Sequence, residues 1–151
     1  MYIFDTNVFT AIGHFYPSRF PTIWAKIDEL ALNGSLRSVK EVRREIETNC
    51  PFEHIEKWVK NHHDIFLIPT DEEAEFIAKI FQKERYRGLV KRKNILVGWP
   101  TADPFVIAAA KIHNRCVVTQ ESPTRIPTVC NELQIKCIDL EKFLEQEQLK
   151  Y

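Results

Sequence analysis

Only four glycines occur in the 151 residues. That is too few for the glycine-rich loops that cradle nucleotide phosphates, and no G-x-G-x-x-G, P-loop or G-x-S-x-G pattern is present. The four cysteines (Cys50, Cys116, Cys130, Cys137) form no C-x-x-C pair and lack the density of a disulfide framework. Cys116 and Cys137 lie in or beside apolar runs, where a thiol serves as a small core group. The five histidines, His62-His63 among them, show neither H-x-x-x-H nor H-x-x-E-H spacing, which removes the zinc hydrolases and leaves them as surface or packing residues. No apolar run approaches the ~20 residues of a membrane span, and the N-terminus does not read as a secretion signal. The chain therefore reads as cytoplasmic, with no membrane partner. Charge of either sign is not in excess, with 21 basic and 21 acidic residues. A uniformly basic nucleic-acid-coating domain is thereby excluded.

What is present is ordinary globular material, 44% hydrophobic and 28% charged, enough for one domain spanning residues 1–151 with its own core. Tyr2 to Asp5 reads as a short buried strand. Thr6 to Gly13 reads as a helix that Thr6 or Asn7 could cap. Arg19 to Leu32 carries a helical stripe closed by Asn33-Gly34, and its aromatic anchors Phe20 and Trp24 make the surface from Arg19 to Cys50 a candidate docking or homodimer face. Ser38 reads as the N-cap of a helix through Val39, Val42 and Ile46. A further helix spans Phe52 to Asn61, and Ile65 to Ile68 is a second strand. Thr70 and Glu73 form a capping box for a helix running to about Tyr86. Thr101 caps another helix, with Pro104 in its first turn. Strands at Cys116 to Thr119 and Lys136 to Ile138 flank a helix from Ile126 to Leu133, and a helix follows Leu140. Strands separated by helical crossovers imply an α/β protein: a central parallel sheet with helices on both faces, a three-layer α/β/α sandwich.

Acids recur where such a sheet exposes its crevice. Asp5 ends the first strand, Asp103 sits in the first turn of a helix, and Glu121 follows the strand that ends at Thr119. On the helix through residues 39 to 47, Glu41 and Glu45 share a face. At 100° per residue Glu45 lies nearer the apolar stripe, which favours it as the fourth acid. Convergent carboxylates are costly unless a cation joins them, and an oxygen-only set suits Mg²⁺ or Mn²⁺ rather than zinc. That pattern points to metal-dependent chemistry on phosphate. Asp5, Glu45, Asp103 and Glu121 are the candidate catalytic and metal-binding residues. Thr6, Asn7 and Thr119 are candidate donors that fix those carboxylates. A basic stretch from Lys83 to Lys93, represented by Arg87, Lys91 and Lys93, reads as a rim that follows phosphates. Phosphatases of the haloacid-dehalogenase type also use a first-strand aspartate but need a second one two residues later, where this chain has Asn7.

These pieces resemble the PIN domain family. The matching residues are Phe4-Asp5-Thr6-Asn7, Ser38-Val39 with Glu45-Ile46, Ala102-Asp103-Pro104-Phe105-Val106-Ile107-Ala108-Ala109, and Val117-Val118-Thr119-Gln120-Glu121. In order and spacing they span residues 2 to 121. The stretch Arg125 to Cys130 further resembles a prokaryotic PIN-like subgroup without assigned function. The resemblance implies Asp5, Glu45, Asp103 and Glu121 around one or two Mg²⁺ or Mn²⁺ ions and endoribonuclease activity. It also implies, by likeness to VapC-type toxins, an RNA substrate, an antitoxin protein partner and a possible homodimer. The family usually carries aspartate where this chain has Glu121, and the segment from Arg85 to Trp99 has no counterpart in it.

Overall fold

The computed structural model describes residues 1–81, 102–120 and 126–149. The elements run β1 (Tyr2–Phe4), α1 (Thr6–Ile12), α2 (Pro21–Leu32), β2 (Leu36–Val39), α3 (Lys40–Asn49), α4 (Glu53–Asn61), a single 3₁₀ turn (His63–Ile65) and β3 (Phe66–Leu67). They continue with α5 (Asp71–Phe81), α6 (Asp103–His113), β4 (Cys116–Val118), α7 (Ile126–Glu132), β5 (Cys137–Ile138) and α8 (Leu140–Gln146). The five strands are parallel in the order β3-β2-β1-β4-β5. With helices on both faces this is the expected three-layer α/β/α sandwich.

The sheet has one more strand than the sequence pattern suggests. Periodicity merges β2 with the helix after it, because Val39 completes the stripe of Val42 and Ile46. Gly34 adopts φ 85°, a left-handed turn that suits glycine, and delivers the chain into β2. Ser38 is consequently not an N-cap. Its hydroxyl is buried and donates to the Phe4 carbonyl of β1 at 2.7 Å, while Val39 occupies the cap position without a side-chain bond. The capping box at Thr70 is half formed. Glu73 N–H donates to Thr70 Oγ1 at 3.2 Å, but the Glu73 carboxylate turns instead to His113 Nε2, 2.6 Å away. Residues of the expected helix beyond Phe81 lie outside the described residues. At α6 the N-cap is Ala102 rather than Thr101, which also lies outside them.

The order of strands decides where a site can form. The chain builds outward from β1 through β2 to β3, then returns to place β4 on the other side of β1. The reversal between β1 and β4 is the point where an open parallel sheet leaves a crevice beyond its C-terminal strand ends. α6 closes the sheet beneath it, packing on β1, β2 and β4 through a face of Val106, Ile107, Ala109 and Ala110. Its small residues permit the close approach. Edge-to-face contacts tie the layers together, Phe4 meeting Phe9 at 5.6 Å and Phe143 at 5.1 Å. Gly13 ends α1 where the Phe52 ring leaves no room for a Cβ. Trp24 belongs to this core: it is 5% exposed and donates to the Phe15 carbonyl. It is therefore the core residue that its place in the helical stripe allows, not an exposed docking anchor, and Phe20 is only partly exposed.

Candidate active site

Asp5 emerges from β1 at the β1/β4 reversal, its backbone N–H donating to Val118 O at 3.1 Å. It is 3% exposed, so its charge needs compensation from within the protein. Two donors among the described residues contribute to it. Asp5 is itself the N-cap of α1, its Oδ1 accepting the Thr6 N–H at 2.8 Å; neither Thr6 nor Asn7 takes that role. Thr119 Oγ1, just past β4, lies 3.0 Å from Asp5 Oδ2 and 3.1 Å from Asn7 Oδ1. A hydroxyl has one proton, and the carboxylate is the stronger acceptor. Asn7 Oδ1 is satisfied separately by the Gln120 N–H at 3.0 Å. The three residues read from sequence as positioning donors thus form one network across the reversal.

Thr6 carries the network to the next acid. Its hydroxyl donates to Glu45 Oε2 at 2.8 Å, joining α1 to α3. The other oxygen, Glu45 Oε1, accepts the Ala102 N–H at 2.7 Å. Asp103, half-buried in the first turn of α6, is the next residue. Asp5 and Glu45, from distant parts of the chain, are therefore strung on one hydrogen-bonded path that runs through Thr6 to Ala102, the residue before Asp103. Of the two glutamates sharing a face of α3, Glu45 is the one on this path. Glu41 is the more buried, at 9% exposure, and its Oε2 has no hydrogen-bond partner. Burial pushes the Glu41 carboxyl above its usual 4.5, opposed by its own backbone N–H, Lys40 and Arg44 and reinforced by Glu73.

Glu121, Arg87, Lys91 and Lys93 lie outside the described residues. Among the described residues no three His, Cys, Asp or Glu side chains stand together as a ready metal-ligand group. The donor chemistry nevertheless suits a hard divalent cation. Asp5 and Glu45 present only oxygens, each oriented by a hydrogen bond from the network, and carboxylate oxygens are the ligands such a cation prefers. The residue that sequence reasoning missed is Ala102, which acts through its backbone N–H and leaves no side-chain signal to read.

The profile of the family described as "Domain of unknown function (DUF4411)" matches residues 2–151. Among curated proteins, none matches the chain. Among solved structures, VapBC2 from Rickettsia felis, bound to a DNA fragment from its promoter, aligns over 91% of this chain and 97% of its own at 13% identity, TM-score 0.53. FitAcB from Neisseria gonorrhoeae aligns over 91% and 96% at 15% identity, TM-score 0.52. PAE2754 from Pyrobaculum aerophilum aligns over 96% and 93% at 13% identity, TM-score 0.51. The fold these structures share with the chain is the PIN-like α/β/α fold.

Proposed function

The chain belongs to the family described as Domain of unknown function (DUF4411), and we propose that it is a Mg²⁺- or Mn²⁺-dependent endoribonuclease. The observation that supports this most is the single path Asp5–Thr6–Glu45–Ala102–Asp103 at the sheet's reversal point. Carboxylates on that path, two of them oriented by the hydroxyl and backbone donors of Thr6, Thr119 and Ala102, are suited to a metal and a phosphodiester. Asp5, Glu45, Asp103 and Glu121 would hold the ion. When bound it would supply an acidified water and neutralise charge growing on the phosphate. Thr6 and Thr119 fix the two carboxylates they touch, so that the acids are oriented before substrate arrives. Arg87, Lys91 and Lys93 would grip the RNA backbone without entering the chemistry, so replacing all three should weaken RNA binding and flatten its salt dependence. DNA is the alternative substrate, separated by offering both as single strands.

The likeness to VapBC2 and FitAcB, with the sequence resemblance to VapC-type toxins, supports a role as the toxin of a cytoplasmic toxin–antitoxin pair. An antitoxin would act by entering the acidic crevice. One observation favours a second reading, a catalytically silent module that binds RNA or a partner: the absence of a ready metal-ligand group among the described residues. Metal-dependent cleavage of a single-stranded RNA by the wild-type chain, lost in Asp5→Asn, separates the two. Binding without cleavage at any metal concentration would favour the silent module.

A further inference from the structure

At the opposite end of the sheet, beside the N-terminal ends of β4 and β5, a cleft of about 320 Å³ is lined by Lys111, Asn114, Arg115, Gln134 and Lys136. Every charged side chain in this lining is a cation, in a chain whose acids and bases balance at 21 each. Such single-sign lining is costly, because each positive charge raises the energy of the others.

Arg115 shows that cost directly. Its Nε and Nη1 are shut off from solvent and have no hydrogen-bond partner in the protein. Burial, and then the neighbouring Arg37, weaken its hold on its proton, while Glu73 works in the other direction. Glu73 makes no hydrogen bond to the buried Arg115 Nε or Nη1; its Oε1 is engaged by His113 Nε2 at 2.6 Å. Arg37 brings no relief either: its Nη1 donates to the Ala31 and Leu36 carbonyls at 3.0 and 2.9 Å. The unmet positive charge of this guanidinium suits an oxyanion bound in the adjoining cleft, which would supply negative charge beside it.

The rest of the cleft matches that need. Lys111 Nζ is tethered to Leu133 O at 2.9 Å, which anchors one wall. Asn114 and Gln134, at φ 51° and 58°, occupy the left-handed turns that bound α6 and α7, and both amide-bearing residues line the cleft. Three cations with neutral amide donors are matched to a doubly charged group with three acceptor oxygens. The cleft lies at the lower end of the size range of small-molecule sites.

We infer that this cleft is a binding site for a phosphoryl group, carried by a nucleotide or present as inorganic phosphate. It lies at the other end of the strands from the carboxylates and does not depend on the nuclease reading. The test is a titration of the full chain with inorganic phosphate and, separately, with adenosine monophosphate, with EDTA present to keep divalent ions from the carboxylates. The readout is the NMR signals of the Asn114 and Gln134 amides and of Arg115 Nε–H.

Saturable shifts at these groups are expected, unchanged in Asp5→Asn and absent when Arg115→Gln and Lys136→Gln are combined. Should that double variant fold poorly, Lys111→Gln, on the exposed wall, should still weaken binding several-fold. Adenosine monophosphate binding about tenfold tighter than phosphate would assign a nucleotide ligand, and equal affinities would assign phosphate itself. Shifts that never saturate, that chloride reproduces at equal ionic strength, or that persist in the double variant would overturn the site.

Discussion

Thr6 holds two acids with two different groups, its N–H on Asp5 and its hydroxyl on Glu45. Thr6→Val keeps the first and removes the second. It should leave the fold intact and lower cleavage by about 10–100-fold. Asp5→Asn and Glu45→Gln, which remove a proposed ligand outright, should each lose more, measured by single-turnover cleavage. Glu41→Gln should not lower cleavage, and it should stabilise the protein. An unfolded glutamate titrates near 4.5, whereas buried Glu41 titrates higher. Between the two values the folded chain holds a proton that the unfolded chain has released, so stability falls as pH rises through that window. The penalty is complete above the folded value. Glu41→Gln should therefore raise the melting temperature at pH 7, by about 2–4 °C if the buried unpaired oxygen costs about 1 kcal/mol, and change little at pH 4. The positions of Asp5, Glu45 and Asp103 were legible because apolar runs and helix starts frame them. The division of labour between Glu41 and Glu45 was legible only in part: angular position on α3 separates them, yet the more buried of the two is the one off the network. That Asp5 caps α1 was one of three readings the sequence allowed, because Thr6 and Asn7 are equally good capping residues by type.

Among the elements, β2 shows why short central strands escape a periodicity reading. It has four residues, two of them Arg37 and Ser38, and it runs without a break into α3. What makes it a strand is tertiary: β1 and β3 pair with it on either side, and Ser38 gives its hydroxyl to β1. Ser38→Ala should cost about 1 kcal/mol, read from the denaturant midpoint at unchanged slope. Cost well below that would mean the Phe4 carbonyl does not need the bond. Glu73 is a second case of tertiary context overriding a local pattern. The T-x-x-E spacing is present, but the carboxylate is 4% exposed and finds His113 on α6 instead of its own helix start. The long elements are the better read, since α2, α4 and α6 each carry a full apolar stripe. Trp24 on α2 could serve as core or as a docking anchor by pattern, because periodicity reports a face, not what covers it; burial makes it core.

For the molecule as a whole, the alternation of strands and helices made the parallel α/β/α sandwich legible, and the strand order adds what alternation cannot: the reversal between β1 and β4, from which Asp5 emerges. A divalent ion at ~100 times its Kd should add about 2.7 kcal/mol, raising the melting temperature by roughly 5–10 °C for a chain of this size. Mn²⁺ should give that shift in the wild type and a smaller one in Asp103→Asn. A toxin role predicts that expression of the chain alone slows growth and that Asp5→Asn abolishes the effect; healthy growth with abundant wild-type protein would count against the toxin while sparing the nuclease. The central claim is that these carboxylates form a metal-dependent nuclease centre. It is tested most directly by incubating purified wild-type chain and Asp5→Asn with single-stranded RNA, with Mn²⁺ and with EDTA. Cleavage by the wild type in Mn²⁺ alone, with none by Asp5→Asn, is the predicted result; equal cleavage by both proteins, or cleavage undiminished by EDTA, would contradict it.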